Sequence, residues 1–147
     1  MVTQWPKSLP VAQLRFARPT VQIERILEFY HHGVGLPILY SYMDDADYDG
    51  VMLGLPGREY HLEITQHQGD GPCPPPAPDN LLVFYIPERR AIEAAVARLR
   101  EMGYTPVPPR NPYWAEKGVT IPDPDGWHIV LMNTPGFGDD IDEKLHY

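Results

Sequence analysis

Residues 50–65, GVMLGLPGREYHLEIT, have a counterpart at 118–132, GVTIPDPDGWHIVLM, and this duplication constrains the fold more than any other feature. Each copy opens on Gly-Val, alternates briefly, breaks at a turn containing proline and glycine, and resumes its alternation. Alternation on both sides of a tight connection specifies two adjacent strands. After a one-residue adjustment in the turn, Leu62-Glu63-Ile64 lies opposite Ile129-Val130-Leu131. The same interval carried backwards sets Gln13–Pro19 against Leu81–Pro87, both strand-like. Each then leads into a helical pattern: Ile23, Ile26, Leu27 and Tyr30 in the first copy, and Ile92, Ala95, Val96 and Leu99 in the second. Thr20 is the expected N-cap of the first helix and Gly33 its stop; Gly103 ends the second.

Each half therefore reads as strand, helix, three strands. The first module spans 11–67, with strands near 12–18, 36–43, 51–54 and 59–66 and a helix near 21–32. The second spans 80–133, with strands near 80–86, 104–107, 117–122 and 127–133 and a helix near 88–102. Between them, residues 68–79 are too rich in Pro and Gly for either module and form an extended linker. Residues 134–147 are an acidic tail. Neither module buries enough apolar surface alone, so the 147 residues are expected to form one domain. Mostly antiparallel sheets with helices on one face make the class α+β. The last strand, WHIVLMN, carries no charged or proline guard, which predicts a homodimer that covers sheet edges.

A net charge of −8 and twelve scattered basic residues argue against nucleic acid as a partner. There is no apolar run of membrane-spanning length and no signal-peptide core, so the expected setting is cytoplasmic. The lone Cys73 cannot form an internal disulfide.

Two modules of this order, Phe29-Tyr30 followed by Gly33-Val-Gly35-Leu, Leu62-Glu63 closing the first module, and Asp123-Pro-Asp-Gly126 before the last strand resemble the vicinal oxygen chelate superfamily. That group includes glyoxalase I, the extradiol dioxygenases, and the bleomycin and fosfomycin resistance proteins. The resemblance covers roughly residues 11–133. It implies two βαβββ modules whose curled sheets form a cup for a small molecule and, in many members, a divalent metal. It places metal ligands at Gln13, Glu63, Leu81 and Val130. Gln13 and Glu63 are oxygen donors, whereas Leu81 and Val130 have no lone pair to give.

Strand alternation sets Leu14, Phe16, Tyr60, Leu62 and Ile64 towards the helix of the first module. It leaves Gln13, Arg15, Ala17, His61, Glu63, Thr65 and His67 on the opposite, cup face. The second module contributes Leu81, Val83, Tyr85, His128, Val130 and Met132 to its own cup face. A carboxylate in mid-strand is costly unless paired, and Arg15 on the neighbouring strand is the expected partner of Glu63. Glu63 is also the candidate general base, with Arg15 receiving a ligand's anionic group. His61 and His128 serve either as pocket polar groups or as metal ligands. Trp114, on a proline-bounded loop, serves as a lid or packs on the sheet.

Two functions remain open at this point. One is a small-molecule binder whose ligand meets Arg15, His61, Tyr85, Trp114, His128 and Val130, with no cofactor. The other is a lyase, isomerase or dioxygenase using Fe, Mn, Ni or Zn held by Gln13 and Glu63 with His61, His128 or both.

Overall fold

The alternating segments of the repeat fold into two separate sheets. The structure is a computed structural model that describes residues 5–136; the tail acids Asp139, Asp140, Asp142 and Glu143 lie outside the described residues. The first sheet contains β1 (Leu14–Pro19), β2 (Ile38–Asp45), β3 (Tyr48–Leu53) and β4 (Tyr60–His67), in the order β1-β4-β3-β2. The second contains β5 (Leu81–Tyr85), β6 (Gly118–Pro122) and β7 (His128–Met132), in the order β5-β7-β6. In each sheet the opening strand runs parallel to the closing one, β1 with β4 and β5 with β7, and the other pairs are antiparallel. The fold is α+β, two paired modules with curled sheets.

Three expectations are corrected. The strand near 104–107 is reduced to one bridge, Val107 with Thr120, because Pro106, Pro108 and Pro109 have no N–H to give a ladder. The closing strand β7 lies in the centre of its sheet rather than at an edge; β5 and β6 are the edges there, and β1 and β2 in the first sheet. The first helix is also not a plain α-helix.

Helix α1 spans only Ile23–Leu27, and the chain continues as a π-helical segment, Glu28–Val34. The N–H groups of Gly35 and Leu36 both reach back to Tyr30 O, at 3.1 and 2.9 Å, and Gly35 at φ 99° ends the segment, two residues past the expected stop. The wider turn lets the consecutive Phe29 and Tyr30 both point inwards. Gly33 meets Leu99 so closely that a Cβ there would collide with it. Thr20 does not cap α1. Its Oγ accepts the Gln22 N–H at 3.1 Å, and the N–H of Ile23 is satisfied by the Gln66 side chain at 2.9 Å. Helix α2 (Arg89–Glu101) runs as its period predicts and ends at Gly103, φ 95°.

One core joins both modules. Ile26, Phe29, Val51, Leu53 and Ile64 from the first meet Ile92, Leu99, Ile121, Ile129 and Leu131 from the second. Each fully buried side chain of this size contributes roughly 1.5–3 kcal/mol. Tyr104, off the sheet, still packs edge-on to Phe29 at 4.9 Å. The helix-side faces of the two sheets thus share a core, and both cup faces are turned away from it. Leu14 and Phe16 do lie on the helix side, but the short α1 leaves them half exposed. Among the described residues no helix is long and apolar enough to cross a membrane.

Candidate functional site

On the cup face of the first sheet, the parallel register sets Arg15 beside His61 and Ala17 beside Glu63. Arg15 Nε donates to His61 Nε2 at 2.8 Å, and Nη1 meets Glu63 Oε2 at 3.3 Å. Nη2 reaches the Met52 sulfur at 3.5 Å. Because a guanidinium offers only hydrogens, His61 Nε2 is the acceptor and the imidazole proton sits on Nδ1. Tyr42 adds a fourth contact from β2, its hydroxyl donating to Glu63 Oε2 at 3.4 Å. Burial, and then the Glu63 charge, raise the Tyr42 hydroxyl above its usual pKa of 10.0. Tyr42 gets there by setting the tip of its ring on Gly50, where a Cβ would occupy the same space.

The pair is asymmetric: the Glu63 side chain is 11% exposed, that of Arg15 44%. Arg15→Met, which leaves a nearly buried carboxylate with only Tyr42, is expected to cost about 2–3 kcal/mol. Glu63→Leu, which leaves a hydrated guanidinium, is expected to cost about 1 kcal/mol or less. Urea unfolding of the two variants and the double variant checks the order, and equal costs would contradict it.

The cup face of the second sheet is covered by its own chain. A single 3₁₀ turn, Pro112–Trp114, carries the Trp114 carbonyl onto Gly118, again where a Cβ would collide. Trp114 packs edge-on to Tyr113 at 4.9 Å. Beneath it Val130 is 0% exposed and Met132 nearly so, which takes Val130 out of reach of a ligand while this segment stays down. Tyr85 remains exposed at the end of β5, against Gly136. Thr120 and His128 sit on this same face, in register with Val130 and Pro122. The repeat's two Gly-Val openings thus do the same work: each bares the backbone so that a neighbouring segment can lie on the cup face.

Among the described residues three buried side-chain atoms have no hydrogen-bond partner: His61 Nδ1, Thr120 Oγ1 and His128 Nδ1. All three belong to the cup faces. By contrast, the buried polar groups of the helix side are fully engaged, in a cluster the sequence did not reveal. Arg18 meets Asp123 at 2.5 Å and Asp125 at 2.9 Å, and its guanidinium lies 5.4 Å from the Trp127 ring centre. Tyr30 donates to Asp123 at 2.6 Å, and Gln22 to Asp125 at 2.6 Å. The amides of Asp125 and Trp127 close on Asp123 Oδ1. Burial, then the Asp123 charge, push the Tyr30 hydroxyl well above its usual range. This cluster pins the turn of the second module to the helix side of the first. A narrow apolar cavity of about 100 Å³ adjoins it, lined by Phe16, Leu62, Ile64 and Trp127 among others. Its polar wall, Arg18 and Tyr30, is already committed, and it lies on the other side of the sheet from Glu63.

A divalent metal does not fit the residues present. The lone pairs that would face a cation, His61 Nε2 and Glu63 Oε2, are turned to the Arg15 guanidinium, whose positive charge stands in the same place. Gln13 donates its amide to Arg58 O at 2.9 Å. Among the described residues no three His, Cys, Asp or Glu side chains converge. His31, at the end of the π-helical segment, contacts Leu36 O at 2.7 Å and plays no part in the cup.

Paired modules with a cup of this topology define a member of the vicinal oxygen chelate superfamily. Residues 14–65 match the YycE-like N-terminal domain and residues 79–133 the YycE-like C-terminal domain. The chain belongs to the YycE-like family. It is 49% identical over 129 residues to YycE of Bacillus subtilis, covering 88% of this chain and 93% of that one. The crystal structure of a YycE protein from Bacillus subtilis superposes with a TM-score of 0.86 at 46% identity, over 94% of this chain and all of that one. Leishmania major glyoxalase I (TM-score 0.65, 21% identity, 82% and 85% coverage) and the fosfomycin resistance protein FosX from Mesorhizobium loti (0.59, 14%, 90% and 93%) share the fold.

Proposed function

We propose that the protein binds a small organic molecule in its cup and does so without a metal. The observation that carries this reading is the placement of the unpartnered buried atoms. His61 Nδ1, Thr120 Oγ1 and His128 Nδ1 lie on the cup faces, while the helix-side cluster leaves none. Buried polar groups without partners are rare in native proteins and are satisfied where a ligand or bound solvent completes them. The ion pair at Arg15 and Glu63 supports the metal-free part, since it fills the position a cation would take.

The reading includes a cytoplasmic homodimer. The cup face of the first sheet turns outwards from the shared core, and Tyr40, Tyr48 and Met43 are exposed on or beside it, so a second copy would close what one chain leaves open. Sedimentation at high micromolar concentration is expected to show the dimer, and a monomer there would remove that part.

The test of the binder reading has two arms. Mn²⁺, Ni²⁺ and Zn²⁺ are expected to leave the melting temperature unchanged, whereas members of a small-molecule library are expected to raise it by mass action. Such compounds should shift the methyl resonances of Met52 or Met132. A metal-dependent rise that disappears in Glu63→Gln would replace this reading with that of a metal-dependent enzyme.

A further inference from the structure

The cup face of the first sheet has a specific hydrogen-bonding capacity left over. Glu63 Oε2 takes the bonds from both Arg15 and Tyr42, and among the described residues Oε1 takes none. Of the five N–H groups of Arg15, one serves His61, one serves Glu63, and one meets the Met52 thioether, a weak acceptor. The Arg15 side chain is close to half exposed, and among the described residues two of its N–H groups and the neighbouring Glu63 Oε1 have no partner. Their charges oppose one another. An anion drawn to Arg15 meets Glu63 within ångströms, and a cation drawn to Glu63 meets Arg15. A neutral group that offers an acceptor and a donor side by side satisfies both at once.

The surroundings select for shape. In register across the sheet, Glu63 lies beside Met52, and Met52 beside Tyr40. The Tyr40 and Tyr42 ring centres are 6.3 Å apart with planes 35° from parallel, and Tyr40 is 58% exposed. Offset stacking on such rings favours a flat ligand.

We propose that the first module's cup recognises a planar, uncharged molecule whose edge carries a lactam-type C=O and N–H, the carbonyl on Arg15, the N–H on Glu63 Oε1, and the ring face on Tyr40. This rests on the binder reading above and names its ligand class. The probes are a quinolinone lactam, its N-methyl derivative, naphthoate and naphthalene, each titrated into the full chain by calorimetry. The lactam is expected to bind at least about tenfold more tightly than the N-methyl compound, the loss of one hydrogen bond to a charged group. Naphthoate and naphthalene should be weaker than the lactam by a similar factor. Tyr40→Ala, at an exposed position, should weaken the lactam about tenfold while leaving the melting temperature of the free protein unchanged.

Tighter binding of naphthoate, or equal binding of the N-methyl compound, would overturn the lactam class and leave the cup reading standing. Lactam binding that is unaffected by both Tyr40→Ala and Glu63→Gln would place it elsewhere and overturn the proposal. If no probe binds while the library yields cup binders of other chemistry, the class is wrong and the cup stands. If the library is silent as well, both fall.

Discussion

Asp123→Ala is expected to destabilise the fold by about 3–5 kcal/mol, because it strands a charge that the structure cannot rehydrate. The Arg18 and Asp123 side chains are 6% and 0% exposed. Without the carboxylate, Arg18 keeps Asp125 as its one acidic partner among the described residues, Tyr30 loses its acceptor, and the amides of Asp125 and Trp127 lose theirs. Urea unfolding should show a lower midpoint with an unchanged slope. Replacing Arg18 by Met and Asp123 by Leu together should recover much of the loss. A cost below about 1 kcal/mol for the single variant would mean the cluster is not buried in solution. The same cluster shapes the acid limb of stability. Burial opposes the Asp125 carboxylate, but hydrogen bonds from Gln22, Thr20 and Arg18 outweigh it and hold its pKa below 3.8. Its contribution is therefore present above 3.8 and lost as the pH falls through its lowered folded value. For Asp123, burial outweighs the bonds from Tyr30, Arg18 and the two amides, and its pKa is raised. Its contribution has the opposite sign, present below 3.8 and lost as the pH rises through the raised value. Melting curves through this range should accordingly flatten in Asp125→Asn and steepen in Asp123→Asn.

Gly118→Ala is expected to cost about 2–3 kcal/mol, whereas Gly50→Ala costs about 1 kcal/mol or less. The two glycines occupy equivalent positions of the repeat, and a Cβ at either would collide with what lies on it. What differs is what must move. At Gly118 the obstacle is the backbone carbonyl of Trp114, with Met132 and Val130 crowding at 3.1 Å, so the whole covering segment has to lift. At Gly50 it is the tip of the Tyr42 ring, which can swing towards solvent. That swing breaks the contact with Glu63, so Gly50→Ala should weaken cup ligands about tenfold while the fold survives. Equal melting temperatures for the two variants would refute the distinction.

The duplicated architecture was legible because period and punctuation are local: alternation, a Gly-Val opening, a proline-rich linker. The Arg15–Glu63 contact was legible for the same reason, since alternation within one module places both on one face. Arg18 was not, because its partners lie in the other half and no periodicity links them. In the sequence Asp123 reads only as part of a turn. The π-helical segment is not legible because Ile23, Ile26, Leu27 and Tyr30 fit the α-helical period, and the widening starts only at Glu28. The role of Tyr42 is not legible because it depends on Gly50, and a glycine in a strand first reads as a turn or bulge.

The Arg18–Asp123 contact joins residues 105 positions apart. A ribosome adding about 5–20 residues per second delivers Asp123 roughly 5–20 s after Arg18. Throughout that interval the nascent first half holds a guanidinium and the Tyr30 phenol with no acceptor in place. Settling into its native packing then would bury both unpaired. The two halves share one pattern, yet the first can bury Arg18 and Tyr30 with their acceptor only once the turn at Asp123 has been made.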